Sequence, residues 1–128
     1  MPRRSVDAMA EYLATHVGAA RRDQARALQR DIDERDLSTP EAVRLAMQTR
    51  SKLWLVYNRK RDGRTLEYHV APYEVGEHPA SGAKVLWATD HKHGGNQIHA
   101  FLWNRIEEAE PRVTATFRPA WPIQQESV

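Results

Sequence analysis

The chain contains no cysteine. Disulfides and thiolate zinc sites are therefore excluded, and a reducing compartment, the cytoplasm, is the expected setting. No apolar run approaches the roughly 18 residues that a membrane helix needs, so no membrane partner is expected. The opening stretch MPRRSVDAMAEYL has basic residues but no apolar block behind them, and no signal peptide is expected from it. Neither a GxSxG nucleophile elbow nor a P-loop occurs. Internal repeats and low-complexity tracts are absent as well. The excess of one charge is small, at +2, although the pI is about 9.2.

What is present suits a folded domain. The 128 residues are 41% hydrophobic, enough for one core and hardly two. Residues 5–36 show helical patterning. Ser5 is placed to cap the first helix, with Asp7 in its first turn, and Val6, Met9, Leu13 and Val17 follow at helical spacing. Gly18 interrupts or loosens it. ARRDQARALQRDIDER continues in helical character, with Leu28 and Ile32 one turn apart and the rest heavily charged. A third helix begins in DLSTPEAVRLAMQTR. Ser38 with Glu41 fits a capping box, and Thr39 before Pro40 fits an alternative cap with proline at the first helical position.

Beyond residue 50 the pattern is strand-like, with strands expected near 52–58, 64–71, 83–89, 97–104 and 112–117. Asp62-Gly63 is a hairpin signal whose two central residues both favour positive φ. HPASG at 78–82 and HKHGGN at 91–96 read as loops. LWLV and VLWA are apolar on both faces, which suits a sheet covered on one side and curled onto itself. Trp54 and Trp87 read as core residues. Trp103 is open between core packing and stacking on a base, and Trp121 is assigned to the core with the first two.

The first hairpin crowds Arg59, Lys60, Arg61 and Arg64 around its turn. Clustered cations are either a solubilising tip or a local field that attracts phosphate. His69 and His99 lie in expected strands next to aromatics. If they shared a face with Arg105 and Tyr57, the set could bind phosphate or assist proton transfer. The ordinary alternative is a packing role for both. His91 and His93, beside Asp90, form an HxH pair in a loop; three or four convergent ligands are needed for zinc, so no metal and no cofactor are expected. His16 and His78 read as surface residues. Glu107, Glu108 and Glu110 read as a solvated strand exit.

Taken in order, residues 42–119 resemble the WYL domain, an Sm/SH3-like β-barrel module of bacterial regulators. AVRLAMQTR leads into KLWLVY; the glycine turn RKRDGR follows; HVAPYEVG carries Val70 and Pro72 of the family's valine–x–proline segment. VLWATD stands at the strand that names the family, whose Trp-Tyr-Leu falls on Lys84, Val85 and Leu86. Phe101, Arg105 and Ile106 match a Phe–xxx–Arg–Ile pattern, and Phe117 marks the closing strand. Tyr68 and His99 stand where the family often has arginine on its ligand surface.

The resemblance implies an α+β protein: N-terminal helices (1–37), a five-stranded antiparallel Sm/SH3-like β-barrel with a leading helix (38–121), and a C-terminal tail (122–128). It implies a non-catalytic module that binds single-stranded nucleic acid or a nucleotide-like ligand in transcriptional regulation or anti-phage control. Arg59, Lys60, Arg61 and Arg64 are the expected phosphate contacts. Tyr68, His69, His99 and Arg105 are the expected pocket. The N-terminal helices are expected either to pack on the barrel or to make a homodimer. A second class stays open: a metal-independent endoribonuclease of the toxin type, with His69 or His99 set beside Tyr and Arg on one open face.

Overall fold

A computed structural model of the chain describes residues 3–15, 18–90 and 97–128. The first helix, α1, spans Arg3–Thr15, and α2 spans Ala19–Asp33. Gly18 separates them with φ 80°, a backbone region that side chains other than glycine's enter only under strain. The helix starts two residues before Ser5, so Ser5 is an interior residue and not the expected cap. His16, Val17, His91 and His93 lie outside the described residues. Among those described, no group of three or more His, Asp or Glu could hold a metal ion.

The third helix, α3, spans Thr39–Thr49, and its capping alternatives are resolved in favour of Ser38. Glu41 N–H donates to Ser38 Oγ at 3.3 Å, and Ser38 N–H donates to Glu41 Oε1 at 3.4 Å. Such a cap contributes about 1 kcal/mol. The helix ends on Arg50 in the left-handed region, φ 52°, and the chain turns at once into the sheet.

Five antiparallel strands follow: β1 Ser51–Asn58, β2 Thr65–Glu77, β3 Lys84–Asp90, β4 Ile98–Leu102 and β5 Ile106–Thr116. Their order is β4-β3-β2-β1-β5. A flat sheet of this order would hold its edge strands about 19 Å apart. Yet β4 and β5 are joined by a single 3-10 turn, Trp103–Arg105, whose three residues reach about 10 Å. The sheet therefore curls until its edges approach. Tyr57 of β1 marks the approach, since its hydroxyl accepts from Leu102 N–H at 2.9 Å. No β4–β5 ladder forms among the described residues, so the sheet is curled and open where a closed barrel was expected.

Two strands are longer than their patterns suggested. β2 runs on through Pro72, which lacks an N–H and coincides with a register shift between Pro72 and Glu74. β5 begins at Ile106 and tolerates Pro111. The Pro111 carbonyl points away from β1, toward α2, so the missing N–H on the same side removes no bond from the β1 ladder.

One buried cluster fills the curl: Leu53, Leu55 and Tyr57 from β1, Val70 and Val75 from β2, Leu86 and Ala88 from β3, Phe101 and Ile106 beyond, with Ala42, Val43, Ala46 and Met47 from α3. A smaller cluster joins Ala10, Leu13, Ala25, Leu28 and Ile32 of the helical hairpin to Leu45 and Val113. None of the four tryptophans is fully buried: Trp54, Trp87 and Trp103 are half-buried and Trp121 is 42% exposed. Strand parity explains this. Leu53 and Leu55 face inward, which turns Trp54 out; Leu86 and Ala88 do the same to Trp87.

Residues 117–128 lie back on the fold. Gln124 N–H donates to the Tyr73 carbonyl at 2.7 Å, and Val75 N–H donates to Ser127 Oγ at 2.9 Å. Tyr73 makes edge contacts with Phe117 and Trp121.

Candidate nucleic-acid interface

The β1–β2 hairpin turns through Lys60-Arg61-Asp62-Gly63. Gly63 N–H donates to the Arg59 carbonyl at 2.8 Å, and Arg59 N–H donates to the Arg64 carbonyl at 2.9 Å. Only Gly63 takes positive φ, 69°; Asp62 does not, so this is a four-residue loop and not the expected two-residue turn. The hairpin at 78–83 repeats the design, with Gly82 N–H donating to the His78 carbonyl at 2.8 Å and Gly82 at φ 70°.

Asp62 organises the basic tip. Its Oδ1 accepts from Arg64 N–H at 3.1 Å, and its carboxylate pairs with the Arg59 guanidinium. The Arg64 amide first, then Arg59 and Arg61, hold its pKa below the usual carboxylate range. The Asp62 carboxylate in turn raises Arg59 above the ordinary arginine range, with a lesser contribution from Tyr68. Arg59 is thus tied down inside the hairpin. Lys60, Arg61 and Arg64 are exposed, and none forms a close ion pair among the described residues.

Arg105 joins this cluster through a residue that the sequence pattern did not single out. Its Nη1 donates to Asn58 Oδ1 at 2.6 Å. Asn58 Nδ2 donates to the Gly63 carbonyl at 2.8 Å and to Thr65 Oγ1 at 3.2 Å. Asn58 therefore splints the hairpin to the 3-10 turn. Its position at the last residue of a strand before a glycine turn was the available signal.

Tyr68 faces the interior of the curl, where its ring meets Tyr57 at 6.0 Å and Phe101 at 5.4 Å, both edge-on. Tyr57 and Phe101 also meet edge-on at 5.1 Å. His99 pairs with Ala88 across β3–β4 and so lies on the same inner face as Phe101. Its Nε2 is buried without a hydrogen-bond partner among the described residues, a placement that usually has a reason.

His69 pairs with Trp54, on the outer face. The expected union of His69 and His99 on one face does not occur: period-two alternation puts His69 opposite Tyr68, and only Tyr68 shares the inner face with His99. The structure brings together Arg59 with Tyr68, and Arg105 with the hairpin.

The acidic run is no strand exit. Glu108 and Glu110 lie within β5, opposite Val56 and Trp54. With Asp33, Asp36, Glu107 and Trp54 they line a groove of about 420 Å³. Burial, then a hydrogen bond that protonated Glu110 donates to the Asp33 carboxylate, raises the Glu110 pKa, against the pull of Arg112 at 2.6 Å. No residue of 59–64 lines that groove or three others of about 420–600 Å³. The basic hairpin is an exposed tip.

No family model matches the chain, and no curated protein matches it. Among solved structures, the chain is similar to proteasome accessory factor B/C (PafBC) of Arthrobacter aurescens, with a TM-score of 0.54 at 21% identity. The match covers 88% of this chain and 20% of that one, so the chain spans about a fifth of that protein's length. The likeness is one of fold: three helices and a five-stranded antiparallel sheet.

Proposed function

We propose that the protein is a non-catalytic, WYL-like regulatory module whose β1–β2 hairpin contacts the phosphate backbone of single-stranded nucleic acid. The observation that carries this is the state of the hairpin cations. Arg59 is spent on Asp62 and Tyr68, which leaves Lys60, Arg61 and Arg64 displayed on a loop stiffened by Asp62, Gly63 and Asn58. A loop whose backbone is already ordered loses little freedom on binding, and exposed cations suit a polymer's phosphates better than an enclosed small molecule. The WYL-like order of motifs in residues 42–119, together with the fold shared with PafBC, supports a regulatory role.

A ligand seated within the curl is a second reading, favoured by the His99 Nε2, which has no partner among the described residues and lies on the same face as the Tyr57–Tyr68–Phe101 cluster. Here a nucleotide-like base would meet aromatic edges and one ring nitrogen. An endoribonuclease is less well supported, because His69 lies on the outer face, away from Tyr57 and Tyr68, and the His99 Nε2 is sealed from solvent.

Fluorescence anisotropy with labelled single-stranded DNA and RNA across a salt series tests the main reading. Each phosphate contact contributes about 0.7 to the slope of log affinity against log salt. K60A/R61A/R64A should therefore lower the slope by about two. Absence of binding at low salt, or binding indifferent to salt, overturns it.

A further inference from the structure

We infer that α2 carries a second anion-contacting surface, the arginine stripe Arg22–Arg26–Arg30, which tracks a nucleic-acid phosphate backbone independently of the hairpin. The three residues recur every fourth position, so they stand in one row with about 6 Å between successive steps along the helix. All three are exposed, and none forms an ion pair among the described residues. The opposite side of α2 is the packed one: Ala25, Leu28 and Ile32 are buried in the cluster shared with α1 and α3.

The stripe does not serve the helix that bears it. Like charges at i,i+4 destabilise a helix by a few tenths of a kcal/mol per pair. Arg22 sits in the first turn, where the macrodipole disfavours a cation. That turn has no acidic residue, and Gly18 provides no side-chain cap. The first-turn N–H groups and Arg22 thus present positive charge together. Packing on β5, not local electrostatics, keeps α2 folded.

Charge complementarity identifies the occupant. Arg26 and Arg30 line a groove of about 600 Å³ between α2 and β5, together with Asp23, Gln29, Asp33 and Thr114. Asp33 accepts from Gln29 Nε2 at 3.1 Å and interacts with Glu110, so its carboxylate is engaged by those two residues and forms no ion pair with the stripe. All of the cations in α2 are arginine. The guanidinium's planar fork matches phosphate oxygens two at a time, and arginine is the usual choice for nucleic-acid backbones. A phosphodiester chain lying along α2 would meet the three forks in turn.

The test uses the full chain, a labelled 20-nucleotide single strand and a salt series. R22Q/R26Q/R30Q should lower the salt slope by about two and weaken binding at least tenfold at low salt, with Tm unchanged or higher. R22K/R26K/R30K should retain the slope, which separates charge from helix packing and serves if the glutamine variant misfolds. An unchanged slope in the glutamine variant overturns the inference. Equal loss of binding to polyglutamate of matched charge also overturns it, since the partner would then be an acidic protein. The hairpin variant K60A/R61A/R64A reads the other surface separately: if it alone removes all salt dependence, the stripe has no role and the hairpin reading stands. If only the arginine-stripe variant loses slope, the reverse holds.

Discussion

Arg105 donates from Nη1 to Asn58 Oδ1 at 2.6 Å, and so the 3-10 turn that joins the two sheet edges is tied to the root of the basic hairpin. Asn58 passes that restraint on through the Gly63 carbonyl. Curl of the sheet and presentation of the hairpin cations are one mechanical unit.

Asn58→Ala should therefore loosen the hairpin as well as destabilise the fold. Loss of the bond to a charged partner and of two neutral ones costs about 1–3 kcal/mol. Urea unfolding should show a lower midpoint at constant m-value. Nucleic-acid affinity should fall although no cation has been removed; retained affinity would separate the tip from its splint.

Gly63→Ala and Gly82→Ala should each cost about 1–2 kcal/mol. A Cβ at either position meets nothing within 4 Å, so the entire penalty is backbone strain at φ 69° and 70°. Gly76→Ala is the control, because Gly76 lacks positive φ and its Cβ would meet Trp87 Nε1 at an ordinary 3.5 Å. Denaturation midpoints should rank the first two together below the third.

Gln29 occupies the place of a neighbouring strand. Its Nε2 donates to the Pro111 carbonyl at 3.2 Å, and its Oε1 accepts from Val113 N–H at 2.9 Å. Arg21 completes the cover with bonds to the carbonyls of Val113, Thr49 and Leu13. The outer edge of β5 is thereby closed to strand addition. Gln29→Ala should cost about 1–3 kcal/mol and accelerate hydrogen exchange at the Val113 amide; unchanged exchange would show that the amide is protected by something else.

Glu110 and Asp62 should give opposite pH signatures. Burial and Asp33 raise the Glu110 pKa, so its contribution to stability is present in acid and is lost as pH rises through the raised value. Glu110→Gln should gain stability relative to the native protein as pH climbs from about 4 toward neutrality. The Asp62 pKa is lowered, so its contribution is present above the ordinary carboxylate range and disappears as pH falls through the lowered value. Asp62→Asn should therefore lose most at neutral pH and least near pH 3. Thermal unfolding across pH 3–7 compares the two.

The sequence alone determined the local signals. Ser38 with Glu41, Gly18 between helices, Gly63 in its turn and the grouping of Arg59, Lys60, Arg61 and Arg64 each depend on a few adjacent residues, and each appears near its expected place. What the tertiary structure decided was which way residues face and what covers them. LWLV and VLWA are apolar on both faces, so their period of two could not say that Trp54 and Trp87 turn outward; the direction of curl did. The same parity separated His69 from His99. Gln29 and Arg21 gained their roles from β5 carbonyls more than 80 residues away, a pairing that chain position does not encode. Backbone geometry is set locally, whereas burial is a property of the assembled surface.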